Sequence, residues 1–282
     1  MPGFRIQGLG NPFTGGWLVP YSPGFVRKII SLLVAGLVAP LLAPGTVHAR
    51  PVPTGLSALT NNPIYTTGKL PVRSCPEYAE EIPDYLTAQN YLREGALCLD
   101  ATWTSYFKKA KLPFRKPSME FIHKSTVKTR ACGSIDGFWG GAYCQQTQGI
   151  VVLVDGWMLE YEGTPFLFYV LAHEYGHHVQ QRAGIIKAHD KLTPKDTKKA
   201  YRWHARLELQ ADCLSGAYLR SIWASTGRDS YDWKELLTYI KEDMGDPVHG
   251  TGKSRAAWTD RGFKAGSPSA CNTYKAPASQ VA

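Results

Sequence analysis

The residues best suited to chemistry lie in one short stretch, in which His173, Glu174 and His177 follow the spacing His-Glu-x-x-His. Residues four apart on a helix share a face, so both imidazoles can reach one metal ion while Glu174 stays beside them. Two neutral imidazoles suit zinc, and a carboxylate next to the metal can activate its bound water. This stretch therefore predicts part of a zinc site that still needs a third protein ligand.

A second pair of candidate groups follows in the segment Glu-Leu-Gln-Ala-Asp, where Glu208 and Asp212 are four residues apart. A catalytic zinc commonly keeps three protein ligands and one water, so Glu208 is the expected third ligand with His173 and His177. Asp212 is expected to accept the second ring N–H of a liganding histidine and so fix its orientation. His249 is a candidate donor to the transition state, although a structural capping role is equally open.

Two predicted helices must carry these groups. The first begins near Pro165 and ends near residue 181, and the second spans about 198–225. A β-branched run at 149–155 predicts a strand buried on both faces, and we expect its residues 150–154 to line the cleft and pair with an extended substrate. The remaining predicted elements are helices at 79–111 and 233–244, a strand at 119–123 and a glycine-rich loop at 132–144. The pattern predicts an α+β fold, mostly helical with a small sheet.

The N-terminus is typical of an export signal. Arg27 and Lys28 precede an apolar run at 29–43, and small residues follow up to Ala49. This order predicts a signal peptide over 1–49 with cleavage after Ala49, and hence a secreted or extracytoplasmic protein; an uncleaved membrane anchor over 29–43 is the alternative. The Pro- and Gly-rich residues 50–74 predict a flexible linker, 75–275 the folded domain and 276–282 a disordered tail.

All six cysteines follow the proposed cleavage site. An even number in an exported chain indicates disulfides, although sequence alone does not sort the pairings. Cys132 and Cys144 flank the glycine-rich loop and form the most economical pair. We expect Cys75–Cys98 and Cys213–Cys271 as the other pairs. No C-x-x-C spacing is present, so a cysteine metal site is not expected.

The composition is that of a globular protein, with 44% apolar and 20% charged residues. A formal net charge of +9 is compatible with an anionic partner surface, and association with a membrane or cell wall through the N-terminus or the basic surface is left open. The basic run at 191–199 contains no aromatic residue to stack on bases, and no nucleic-acid motif is visible. We therefore expect no nucleic-acid partner. The sequence does not indicate the oligomeric state.

Several stretches together resemble the putative neutral zinc metallopeptidase family of bacteria, and more broadly zincins with a glutamate third ligand, such as thermolysin. The matching pieces are Cys132-Gly with Tyr143-Cys144, the run 151–155, the stretch 173–180, the segment 208–213, His249-Gly-Thr with Arg255 and Trp258, and the segment 271–274. The resemblance implies a zincin-like fold, one zinc bound by His173, His177 and Glu208, Glu174 as catalytic base, and a peptide or protein substrate.

The combined features predict a secreted zinc-dependent endopeptidase. Two alternatives remain open: an inactive metal-binding extracellular protein that uses the same fold to hold a partner, and a disulfide-stabilised surface protein whose zinc is structural. The intact Glu174 counts against the first alternative, because a protein that only binds has no need of a general base.

Overall fold

A computed structural model of the chain describes residues 49–75, 82–136, 140–159, 165–242 and 245–281. These residues form an α+β domain that is mostly helical, which confirms the predicted fold class. The helices are α1 (Gly55–Thr60), α2 (Tyr85–Ala110), α3 (Gly156–Leu159), α4 (Phe166–Arg182), α5 (Ile185–Leu192), α6 (Thr197–Ile222), α7 (Ser230–Glu242) and α8 (Gly252–Ala265). The strands are β1 (Ser118–Ile122), β2 (Val127–Thr129), β3 (Gly133–Ile135), β4 (Gly141–Cys144) and β5 (Gly149–Leu153).

The proposed signal peptide and its alternative, the anchor at 29–43, fall outside the described residues except for Ala49. Among the helices that the structure describes, none is both long and apolar enough to cross a membrane.

Helix α4 is the buried centre of the domain. Its first turns are apolar on every side, and nearly all of its residues, including the polar ones of the second half, are shielded from solvent. The helix packs between α2 and α6. Tyr91 of α2 meets Phe168 of α4 with ring centroids 4.6 Å apart. Burial of each such side chain stabilises the fold by about 2 kcal/mol, so the second half of α4 is held firmly enough to present a site.

Helix α8 packs directly on α6, although the sequence analysis predicted no helix at 252–265. Its first turn is capped by the Thr251 hydroxyl, which accepts a hydrogen bond from Ser254 N. The two helices approach closely because Gly216 and Gly262 have no Cβ, which at either position would collide with the facing backbone. This contact brings the first turns of α8 towards the middle of α6.

Strand β5 is the central strand of a three-stranded sheet with the order β1-β5-β4. It pairs in parallel with β1 and antiparallel with β4, and all five of its residues are buried. Both edges of β5 are therefore occupied, so the prediction that residues 150–154 pair with a substrate is wrong. The stretch 132–144 is not simply a loop, because it contains β3, which pairs with β2, and β4, which lies at an edge of the larger sheet.

The segment 50–74 is packed against the domain, so the prediction of a flexible linker is wrong. It forms α1 and a short 3-10 helix at Pro63–Tyr65, and its residues Leu59 and Ile64 are fully buried. The Asn62 amide donates to the carbonyl oxygens of Ala58 and Ala183 at 2.9 and 2.8 Å. A few apolar side chains thus anchor a segment whose overall composition is that of a linker.

The C-terminal residues 276–281 are also ordered by contacts. The indole N–H of Trp258 donates to the carbonyl oxygen of Gln280 at 2.6 Å, and Val281 is buried. The prediction of a disordered tail is therefore wrong for the residues that the structure describes.

The structure contains the three expected disulfides, Cys75–Cys98, Cys132–Cys144 and Cys213–Cys271. The first attaches the N-terminal segment to α2, and the third attaches α6 to the C-terminal segment. Because disulfides persist in oxidising compartments, three of them indicate an extracytoplasmic protein.

Candidate metal centre

Helices α4 and α6 approach each other closely at Gly176. A Cβ at this position would lie 3.1 Å from the Cα of Ala211, a tight contact that would require a shift of a few tenths of an ångström. Ala211 lies between Glu208 and Asp212 on α6. The absence of a side chain at Gly176 therefore lets both carboxylates of α6 reach the imidazoles of α4.

Three ligand atoms converge between the two helices. The Nε2 atoms of His173 and His177 are 3.2 Å apart, and Glu208 Oε2 lies 3.3 and 3.0 Å from them, respectively. Tetrahedral zinc with bonds of about 2.0–2.1 Å keeps its ligand atoms roughly 3.3 Å apart. Within the described residues, this is the one cluster of its kind whose ligand atoms all lie within 4.8 Å of one another. The spacing fits a single zinc ion.

The partners of the two imidazoles fix where their protons sit. His173 Nδ1 lies 2.7 Å from Asp212 Oδ1, and His177 Nδ1 lies 2.9 Å from Gln180 Oε1. The amide nitrogen of Gln180 donates to Leu207 O at 2.7 Å, so the amide oxygen faces His177. Since both partners accept, each imidazole in its neutral form carries its proton on Nδ1 and presents a lone pair at Nε2.

The charges around His173, His177 and Glu208 favour a cation between their three ligand atoms. Glu208 Oε2 is buried and receives no hydrogen bond, although two nitrogens lie within 3.3 Å. Burial alone would raise the pKa of Glu208, but the neighbouring His177 and His173 hold it well below its usual range. Burial alone would lower the pKa of His173, but Asp212 and then Glu208 outweigh it and raise that pKa to about 10. Two imidazoles and one carboxylate form a donor set typical of catalytic zinc.

Asp212 is fully buried and is held on both of its oxygens. Besides His173, the hydroxyl of Tyr169 donates to Oδ1 at 2.6 Å, and Arg255 Nε approaches Oδ2 at 3.3 Å. Arg255 also donates from Nη2 to the hydroxyl oxygen of Tyr169 at 3.0 Å. Burial raises the pKa of Asp212, but Arg255 and His173 outweigh it and lower that pKa. We refer to Tyr169, Asp212 and Arg255 as the aspartate clamp.

Asp212 was predicted from the sequence, whereas no role was predicted for its two partners or for Gln180. Tyr169 lies four residues before His173, and Gln180 lies three after His177, so helical spacing could have indicated both. Arg255 comes from a separate helix, and no local spacing relates it to Asp212.

Glu174 lies beside the cluster rather than in it. Its side chain is buried, and a Cβ on Gly141 of β4 would lie only 2.8 Å from Glu174 Oε1. Burial raises the pKa of the Glu174 carboxyl, against the opposing effect of His173 and His177. The structure therefore places a carboxylate between the three ligand atoms and an edge strand of the sheet.

His249 lies at the rim of the cluster, in the loop before α8. Its Nδ1 is 2.7 Å from Asp246 Oδ2, and its Nε2 is 3.7 Å from Glu208 Oε2. The side chain is 40% exposed, and it is not one of the three converging ligands. Asp246, for which no role was predicted from the sequence, holds Nδ1 of His249 and so directs Nε2 towards the site.

The comparisons with known proteins agree with this geometry. A family described as putative neutral zinc metallopeptidase matches residues 87–274, which include the ligand cluster, Glu174 and His249. The chain belongs to that family. The resemblance stated from the sequence is thereby confirmed, and membership of this zinc metallopeptidase family implies zinc as the metal.

Two similar proteins illustrate how far the likeness extends. The uncharacterized protein YpfJ of Escherichia coli K12 is 28% identical over 96% of this chain and 94% of its own length. The uncharacterized protein Rv2575 of Mycobacterium tuberculosis H37Rv is 28% identical over 63% of this chain and 68% of its own. No solved structure matches the chain.

Proposed function

We propose that the protein is an exported zinc-dependent endopeptidase that binds one zinc ion through His173, His177 and Glu208. The observation that carries the proposal is the convergence of two imidazole nitrogens and one carboxylate oxygen beside the buried carboxylate of Glu174. Zinc bound by such a set lowers the pKa of a coordinated water to about 7 and polarises a carbonyl group. Export would be directed by residues 1–49, with cleavage after Ala49 as the expected processing step.

In this proposal, Glu174 acts as the general base and then as the general acid. Its carboxylate accepts the proton of the attacking water and returns that proton to the leaving amine. Burial raises its pKa, which strengthens it as a base compared with an exposed carboxylate. The imidazolium form of His249, held at Nδ1 by Asp246, would donate a hydrogen bond from Nε2 to the oxygen on which charge develops.

The position of β4 supports binding of an extended polypeptide. β4 is one of the two edge strands of the three-stranded sheet and pairs on one side only, with β5. Its first residue, Gly141, lies against Glu174. A substrate that adds as a further strand along this free edge would bring its backbone past the metal centre through main-chain hydrogen bonds. That mode of binding is independent of side-chain identity, as suits an endopeptidase.

The test compares Glu174→Gln with the wild-type chain in digests of casein and of a peptide library, read by mass spectrometry with and without a chelator. Glu94→Gln on the exposed face of α2 is the matched control. We expect Glu174→Gln to keep about one zinc per chain and lose roughly 10²–10⁴-fold in rate. Full hydrolysis by Glu174→Gln would overturn the mechanism.

The two alternative functions give different results in the same experiment. An inactive binding protein would hold zinc and take up a hydroxamate inhibitor but release no peptides. A structural zinc site would have no open position and would not bind the hydroxamate.

A further inference from the structure

One cationic surface of the domain has no part in the proposed chemistry. It consists of six exposed residues on α5, the following turn and the start of α6, namely Lys187, Lys191, Lys195, Lys198, Lys199 and Arg202. Over residues 187–202 only Asp190 and Asp196 oppose them, which leaves a local formal charge of +4. We call this surface the α5–α6 patch.

Contacts between α5 and the start of α6 fix the positions of the two helices relative to each other. The indole N–H of Trp203 donates to His189 O at 3.2 Å, and the two rings stack with centroids 5.7 Å apart. His189 Nε2 lies 3.1 Å from His204 Nδ1. These contacts hold α5 against the first turns of α6, so the six exposed cations lie on two neighbouring helices and the turn that joins them.

The charges of the patch are available to a partner. In the part of the chain that the structure describes, none of the six side chains is recorded in an ion pair. The carboxylate of Asp196 is already engaged, since it accepts a hydrogen bond from Lys199 N at 2.9 Å as the N-cap of α6. Two apolar side chains lie among the cations: Leu192 is 40% exposed and Tyr201 is 42% exposed.

We propose that the α5–α6 patch binds the surface of an anionic phospholipid membrane. Each lysine or arginine near such a surface contributes roughly fivefold in affinity. Exposed leucine and tyrosine side chains suit the headgroup region, where an apolar body and a polar tip are both accommodated. The three disulfides place the domain outside the cytoplasm, where nucleic acid is not the expected polyanion. A soluble acidic polymer would make no use of Leu192 and Tyr201.

The patch lies on the same helix as a metal ligand. Arg202 precedes Glu208 by six residues of α6, about 9 Å along the helix axis. Binding of the patch to a membrane would therefore hold Glu208 close to the lipid surface. The consequence for substrates, which rests on the proposed peptidase function, is that polypeptide segments at the membrane surface are the ones cleaved.

Lysine footprinting of the full chain tests the proposal without any measurement of hydrolysis. The chain is treated with an acetylating reagent in the presence of phosphatidylglycerol vesicles, phosphatidylcholine vesicles or no lipid, and each lysine is quantified by mass spectrometry. Lys191, Lys195 and Lys198 report on the patch. The exposed Lys108, Lys124 and Lys128 serve as internal controls elsewhere on the domain, so attachment through residues 29–43 does not confuse the result.

We expect at least fivefold protection of the three patch lysines on phosphatidylglycerol vesicles, little on phosphatidylcholine, and loss of protection at high salt. The double variant Leu192→Ser, Tyr201→Ser should lose part of that protection. Equal protection of patch and control lysines would overturn the proposal. Protection by soluble heparin would also overturn the proposal if it equals the protection by vesicles and does not change in the double variant. The patch would then bind polyanions in general rather than membranes.

Discussion

Replacing Gly141 with alanine should displace the Glu174 carboxylate while leaving the zinc ligands in place. An ideal Cβ at Gly141 lies 2.6 Å from Glu174 Cγ and 2.8 Å from Oε1, whereas ordinary contacts begin at 3.4 Å. The Glu174 side chain must therefore move by about 0.6–0.8 Å, the difference between these distances. A flexible side chain yields more easily than β4, whose backbone is paired with β5.

Misplacement of a catalytic group by about 1 Å costs on the order of 10²-fold in rate. We therefore expect kcat of Gly141→Ala to fall roughly 30- to 100-fold, which corresponds to about 2–3 kcal/mol of transition-state stabilisation. Zinc affinity should stay close to that of the wild type, because the three atoms nearest a Cβ at Gly141 all belong to Glu174 and none to a zinc ligand.

The assay measures hydrolysis of a peptide taken from the library digest, zinc affinity by chelator competition, and thermal unfolding. Gly156→Ala is the matched control, since its Cβ meets nothing within 4 Å and its φ lies outside the left-handed region. Wild-type kcat in a folded, zinc-bound Gly141→Ala protein would refute the assignment of Glu174 as the base at this position. Loss of zinc would show that the strand had moved instead of the side chain.

Two further predictions concern buried polar groups away from the ligand atoms. Arg255→Met should weaken zinc binding by about 10- to 100-fold, because Asp212 loses a partner that orients it towards His173, and Arg255→Lys should recover part of the loss. His189 has its pKa lowered to about 4 by burial and then by His204, against about 6.5 unfolded. Its contribution to stability is therefore present above pH 6.5 and falls by about 2 kcal/mol between pH 6.5 and 5.

The zinc affinity of Arg255→Met is measured by chelator competition, with Arg261→Met on the outer face of α8 as control. Unchanged affinity in Arg255→Met would show that the aspartate clamp does not position His173. The contribution of His189 to stability is measured by urea unfolding of the metal-free protein at several pH values. The variant His189→Gln should show a shallower acid loss than wild type, and parallel pH curves for the two proteins would contradict the prediction.

The wrong predictions concern segments whose structure is decided by a few residues or by strand pairing rather than by composition or periodicity. The segment 50–74 has the composition of a linker, yet Leu59 and Ile64 fill the core and Asn62 bonds across to Ala183. The run 149–155 is strand-like as predicted, but periodicity does not say whether a strand is central or at an edge. Only the pairing of β5 with β1 and β4 decided that β5 is central and that β4, the strand beside Glu174, lies at an edge.

The sequence by itself determined the content of the metal centre. Helical periodicity is a local property, so the spacing of four residues was enough to place His173 with His177, and Glu208 with Asp212, on one face each. Tertiary structure decided what those faces meet. The contact at Gly176, the arginine that α8 brings to Asp212, and the strand edge beside Glu174 join residues far apart in the chain, and they depend on how the whole core packs.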